Sequence, residues 1–141
     1  MPTIQGPAIA RPGLRYVAEV KDSAKRTWMM RFERSADDSY AIELGDGYAR
    51  FYTDHGQVQV SGVAAYNGAT AYVAGDLAES AGINYYCILA TTGNAPPNAT
   101  YWYPLSWTIY EIPTPYTAAQ LTNPDGSFAL RFAQTGDVIY M

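Results

Sequence analysis

The feature that most constrains this fold is the density of strand-forming and turn-forming residues. The 141 residues include thirteen Tyr, twelve Gly and nine Pro, and these residue types favour strands and tight turns over helices. Residues 15–21 (RYVAEVK) alternate in the period of a strand, and residues 27–34 (TWMMRFER) form a second strand-like segment. Asp46-Gly47 is a strong hairpin signal between two further strands. We therefore predict an all-β fold, with a small barrel or sandwich built from a meander of short strands.

A change in composition divides the chain near residue 61. From Phe51 to Leu130 there is no Lys or Arg, although 13 of the 20 aromatic residues lie there. Neutralisation of phosphates by cations supplies most nucleic-acid affinity, so we do not expect this part of the chain to bind DNA or RNA. We predict a discontinuous β scaffold, residues 1–61 and 108–141, interrupted by a compact three-stranded β insert at residues 62–107. Insertion at a hairpin tip costs little, because the entropy of loop closure grows slowly with loop length.

Charge and cysteine content limit the kind of protein further. Charged residues make up 16% of the chain and the net charge is -4, a low charge density that is typical of a surface partly covered in an assembly. The single Cys87 excludes an internal disulfide. No apolar run approaches the roughly 20 residues of a membrane span, and the first 13 residues lack the apolar core of a signal peptide. We expect no membrane span and no standard secretion.

No group of residues in the sequence indicates catalysis or metal binding. His55 is the only histidine and lies in a turn, whereas Cys87 lies in an apolar strand. One residue of each type falls short of a nucleophile with its base, and short of the three or four N/S ligands of a typical metal site. The candidate acid pairs for glycoside hydrolysis are Asp76 with Glu79 and Asp37 with Asp38. We expect Asp76 to bond turn amides, and we predict no enzyme, no metal and no cofactor.

The aromatic segment Tyr101-Trp102-Tyr103 is the candidate binding site, with Tyr86 as a further contributor. Successive residues of a strand point to opposite faces. If Trp102 is the core residue of the insert, Tyr101 and Tyr103 point outward together. Such a face would stack on sugar rings or pack on a neighbouring subunit. The alternative is that these tyrosines cover the scaffold of the same chain.

Four blocks of sequence carry a family resemblance. They are RYVAEVKDSAKR (15–26), YAIELGDGYARFYTDHGQV (40–58), YEIPTPYTAAQL (110–121) and FAQTGDVIYM (132–141). In this order they resemble the core segment of nozzle or tail-tube-extension proteins of short-tailed bacteriophages. The resemblance implies a virion structural protein, a subunit of an oligomeric ring or tube that contacts neighbouring tail proteins. It also implies a location in the phage tail, and in the host cytoplasm during assembly.

A second resemblance covers the insert. The blocks AYVAGDL (71–77), GINYYCILATTGNAPP (82–97) and YWYPL (101–105) are similar to small chitin- and cellulose-binding modules. The matching positions are Tyr72, Gly75, Asp76, Tyr85, Trp102 and Leu105. Relatives often carry exposed tryptophans after the tyrosine strand, where this chain has Leu89-Ala90-Thr91. The resemblance implies a compact fold closed by Trp102. It also implies an alternative function, in which a carbohydrate-binding module with no structural role in the tail recognises the host through a surface glycan.

Overall fold

The chain is built from short β-strands joined by turns. A computed structural model describes residues 13–33, 35, 39–136 and 138–141. These described residues contain no helix, so the predicted all-β fold is confirmed. The strands are β1 (Trp28–Glu33), β2 (Ser39–Gly45), β3 (Tyr48–Thr53), β4 (Gly56–Gln57), β5 (Ala71–Tyr72), β6 (Leu77–Ser80), β7 (Ile83–Cys87), β8 (Thr91–Thr92), β9 (Trp102–Pro104), β10 (Glu111–Pro113), β11 (Ala133–Thr135) and β12 (Val138–Tyr140).

The largest sheet is open and antiparallel. Its order is β1-β2-β3-β10, and β4 also pairs with β3. The predicted hairpin at Asp46-Gly47 is confirmed, since Gly45 pairs with Tyr48 across it. A Cβ atom at Gly45 would collide with the ring of Tyr48, so glycine lets that ring lie over the end of the hairpin. None of the sheets in the described part of the chain closes on itself. The predicted barrel therefore does not form among these residues.

The two faces of this sheet differ in chemistry, because side chains alternate along each strand. One face carries Met30, Leu44 and Ala49, which are buried against Leu121. Further apolar side chains from both sequence segments of the scaffold pack on this cluster. Among them are Trp28, Ile42, Phe51, Ile112, Phe128 and Ile139. The opposite face carries charged and phenolic groups, which are also buried: Glu43, Tyr48, Arg50 and Glu111.

The insert has a core of its own. Strands β6, β7 and β9 form a three-stranded antiparallel sheet, and β5 pairs with β8. Its buried cluster consists of Tyr72, Ala78, Tyr85, Cys87 and Trp102. Trp102 is 1% exposed, and its indole N–H donates to the carbonyl of Asn94 at 2.7 Å. The prediction that Trp102 is the core residue of the insert is confirmed.

The two ends of the insert are neighbours. The amide of Val60 donates to the carbonyl of Thr108 at 2.7 Å, and the amide of Tyr110 donates to that of Val58 at 2.9 Å. The chain therefore leaves and rejoins the scaffold at one antiparallel pair of segments. The buried clusters of insert and scaffold share no residue. That residues 62–107 and the two scaffold segments are separate folding units stays a prediction.

One predicted strand does not form. Residues 15–21 belong to no sheet, although they alternate. Val17, Ala18 and Val20 instead lie across the polar face of the large sheet, and Lys21 bonds to Glu111. Side-chain contacts, and not a backbone ladder, hold this segment, and alternation alone cannot distinguish the two. The acid pair Asp37 and Asp38 lies outside the described residues.

Candidate functional site

A fully buried carboxylate, Glu111, lies where the insert meets the scaffold. It is the first residue of β10 and has no exposed surface. Its Oε2 atom accepts from Arg50 Nε at 2.8 Å, and its Oε1 atom accepts from Tyr103 Oη at 2.5 Å. Lys21 Nζ also donates to Oε1 in an ion pair. One side chain thus receives donors from the N-terminal segment, the central strand β3 and the last strand of the insert.

These contacts keep Glu111 ionised. Burial by itself would raise the pKa of Glu111, but the hydrogen bonds from Lys21, Tyr103 and Arg50 outweigh it and the pKa is lowered. Burial likewise opposes the charge on Lys21, yet its bonds to Glu111 and Tyr103 raise its pKa. Both groups are therefore charged at neutral pH. A buried charge of this kind is tolerated only when it is paired and hydrogen-bonded.

A second buried carboxylate, Glu43, belongs to the same network. Its Oε1 atom accepts from Tyr48 Oη at 2.6 Å, and its Oε2 atom accepts from Tyr52 Oη. Burial of the two phenols raises their pKa above the ordinary value of 10.0, and their hydrogen bonds to Glu43 raise it further. Both hydroxyls therefore remain donors at neutral pH. Arg50 lies 5.3 Å from the centre of the Tyr48 ring, which links the two carboxylates.

A cavity adjoins Glu43 on the polar face of the sheet. Its volume is about 590 Å³, and its lining includes Val17, Ala18 and Val20 together with Met29, Arg31 and Glu43 of the sheet. The β3–β4 turn forms its rim, where Asp54 and His55 have φ values of +49° and +62°. The cavity combines apolar walls with hydroxyl, imidazole and carboxylate groups. It could accept a small polar ligand.

The residues considered for catalysis lie in separate parts of the molecule. His55 is in the β3–β4 turn of the scaffold, whereas Cys87 is buried in the insert core, and burial raises the pKa of its thiol. Asp76 accepts from the amide of Val73 at 2.7 Å, which confirms the expected bond to a turn amide. Glu79 accepts from the amide of Gly82 at 2.5 Å. Within the described ranges, no group of three or more His, Cys, Asp or Glu side chains is arranged to hold a metal ion.

The three tyrosines predicted as a binding site do not form an exposed face. Tyr101 precedes β9 and packs, half-buried, against the insert core. Tyr103 is half-buried and bonds to Glu111, so it covers the scaffold of the same chain, as the structural alternative expected. Tyr86 lies directly opposite Tyr103 in the sheet and is half-buried too. The expected outward pair is wrong, because Tyr101 leaves the strand and Tyr103 meets a buried charge. A role of these tyrosines in binding stays a prediction.

Sequence reasoning missed the buried charges, although a signal for part of them was present. Fixing the hairpin at Asp46-Gly47 places Glu43 opposite Arg50, and opposite charges at paired positions of a sheet attract. The pairing of Arg50 with Glu111 could not be found in this way, because the 46 residues of the insert (62–107) separate β10 from the meander. The contact of Lys21 likewise depends on the path of an unpaired segment.

Comparison with known proteins gives no match to a family model, to a curated protein or to a solved structure. No helix among the residues described by the structure is long and apolar enough to cross a membrane.

Proposed function

We propose that this chain is a structural subunit of a bacteriophage tail, which assembles with copies of itself and with neighbouring tail proteins into a ring or tube. The observation that carries the proposal is the outer face of the hairpin formed by β11 and β12. Val138 and Tyr140 are 44% and 61% exposed. Ile139, between them, packs against the scaffold core. The hairpin therefore presents one apolar face inward and another to its surroundings.

The hairpin is held firmly enough to serve as a contact surface. Two hydrogen bonds join the side chain of Gln134 to the backbone of Glu33 at the end of β1. The Glu33 amide donates to Gln134 Oε1 at 3.2 Å, and Gln134 Nε2 donates to the Glu33 carbonyl. Phe132 and Met141, which flank the hairpin, are also exposed apolar residues. Contiguous exposed apolar surface marks interaction sites in soluble proteins, and a two-stranded ribbon leaves strand edges available for pairing.

The buried charge network supports a structural role as well. Glu111 holds three segments of the chain in one arrangement, which would fix the orientation of the insert on the scaffold. A subunit of a ring or tube needs such fixed geometry, because errors in orientation accumulate around a closed symmetric assembly.

Sedimentation velocity over a wide concentration range tests this proposal. We expect the wild-type chain to associate, and the double variant Val138→Lys/Tyr140→Lys to remain monomeric with an unchanged melting temperature. Met29→Lys is the matched control, since Met29 is an exposed apolar residue of β1 on the opposite face of the large sheet. Rings or tubes in electron micrographs would distinguish ordered assembly from aggregation. A wild-type chain that is monomeric at every concentration would contradict the proposal.

Carbohydrate binding during host adsorption is the second candidate function. Trp107, at the end of the insert, is the observation that favours it, because its side chain is 89% exposed. The segment around it holds no Lys or Arg, as suits a neutral ligand. Retention of the wild-type chain on insoluble chitin or cellulose, measured against a resin of the same bead size without glycan, tests this function.

A further inference from the structure

We infer that Trp107 is a stacking platform for a neutral pyranose ring, at the point where the insert rejoins the scaffold. The inference deepens the carbohydrate-binding candidate and rests on it, but it does not depend on assembly of the tail. It differs from the site expected from sequence, which lay on the tyrosines of β7 and β9.

The three tryptophans of the chain occupy different environments. Trp102 is buried in the insert core, and Trp28 stacks on Phe128 with ring centres 5.0 Å apart. Trp107 alone among them stands in solvent. An indole in water gains none of the burial free energy that explains the other two. The indole of Trp107 is therefore free for a contact outside the folded chain.

The backbone at Trp107 is strained. Its φ value is +59°, a conformation that bulky residues rarely adopt. Trp107 is the second residue of a turn in which the amide of Ile109 donates to the carbonyl of Ser106 at 3.0 Å. Glycine is the residue that this conformation favours. Strained residues persist where the surroundings fix them, and they concentrate at functional sites.

The turn is fixed from both sides. Asn84 Nδ2 of the insert donates to the carbonyl of Trp107 at 3.4 Å. On the scaffold side, the carbonyl of Thr108 accepts from the amide of Val60 at 2.7 Å. The indole is thus presented on a short, anchored turn, which reduces the entropy lost when a ligand binds.

The chemistry around the turn favours a sugar over other ligands. The side chains bonded to it or adjoining it in sequence are Asn84, Ser106, Thr108 and Gln59, all uncharged amides or hydroxyls. A pyranose offers a flat face of C–H groups to the indole, and its hydroxyls can bond to these groups. A phosphate-bearing ligand would need cations, and a protein partner would favour an apolar surround that excludes water.

Tryptophan fluorescence gives a direct test, since Trp107 should supply most of the iodide-quenchable emission. We expect chitohexaose or cellohexaose to protect this emission from iodide in a saturable titration. Trp107→Gly should weaken retention on insoluble chitin or cellulose by about tenfold or more, with an equal or higher melting temperature, because glycine relieves the strained φ. Trp107→Tyr should retain part of the binding. Val73→Ala, at another exposed apolar residue of the insert, is the control and should bind as wild type.

The outcomes separate the site from the function. Binding to either glycan that survives Trp107→Gly would leave the carbohydrate function standing and overturn the Trp107 site. Absence of binding by the wild-type chain would overturn both. Protection from iodide that grows with protein concentration in the absence of sugar would place Trp107 in a contact between subunits, and would also overturn the inference. A clear loss of melting temperature in Trp107→Gly would show a structural role and do the same.

Discussion

Tyr103 donates a 2.5 Å hydrogen bond to the carboxylate of Glu111, and this bond joins the last strand of the insert to the first scaffold strand after it. The same carboxylate oxygen pairs with Lys21, which also donates to Tyr103 Oη at 2.9 Å. The three groups form a closed triangle from three segments of the chain. The orientation of the insert on the scaffold therefore depends on polar groups, and the insert and scaffold cores contribute no shared apolar cluster.

Removal of the Tyr103 hydroxyl should destabilise the protein. Tyr103→Phe deletes a hydrogen bond to a charged, buried acceptor, a class of bond that contributes about 1.5–3 kcal/mol. Urea unfolding followed by circular dichroism measures the loss. Tyr86→Phe, at the paired position of the neighbouring strand, is the matched control and should change the free energy of unfolding by less. Equal effects of the two substitutions would contradict the assigned role of Tyr103.

Glu111→Gln should cost about 3–5 kcal/mol, because it leaves Arg50 and Lys21 with an uncharged partner in a buried site. It should also alter the dependence on pH. The pKa of Glu111 is lowered from 4.5 in the folded state, so its contribution is present above pH 4.5 and is lost as the pH falls through the folded pKa. Melting temperatures between pH 3 and pH 7 should fall less steeply in Glu111→Gln than in wild type. Parallel curves would count against the ionised pair.

Ala81→Asn should stabilise the insert. Ala81 and Gly82 form the two-residue turn between β6 and β7 and have φ values of +52° and +81°. Asn tolerates this conformation better than Ala, and Asn-Gly is the preferred pair in such hairpins. We expect a gain of roughly 0.5–1 kcal/mol in the free energy of unfolding. Ala74 is exposed and does not have a positive φ, so Ala74→Asn should give no gain in the free energy of unfolding. A gain from both substitutions would show that relief of the backbone conformation at Ala81 is not the cause.

Deletion of residues 62–107, closed by a short Gly-Ser linker, should leave a folded scaffold. The flanking segments are already hydrogen-bonded neighbours between Val60 and Thr108, so a short linker can span them. The deletion also removes the hydrogen bond from Tyr103 to Glu111. The free energy of unfolding should therefore fall by about as much as in Tyr103→Phe. Far-ultraviolet circular dichroism and a cooperative melt measure the result. A deletion protein without a cooperative transition would show that insert and scaffold form one folding unit.

Local patterns in the sequence were sufficient for several elements. The hairpin at Asp46-Gly47, the inward position of Trp102 and the bond of Asp76 to a turn amide each depend on residues within a few positions of one another. The type of fold was also predictable, because the density of Tyr, Gly and Pro restricts the chain to strands and turns. Residues 15–21 show where this reasoning fails, since an alternating segment needs a ladder partner to become a strand.

The sequence by itself therefore determined the all-β character, the main hairpin and the insert's central tryptophan. Only the tertiary structure decided that Glu111 meets Arg50, Lys21 and Tyr103, that the predicted tyrosine face is directed partly at the scaffold, and that Trp107 remains in solvent. The physical reason is sequence separation. Glu111 lies 90 residues from Lys21 and 61 from Arg50, and such contacts are set by how sheets and loops pack, which no local pattern encodes.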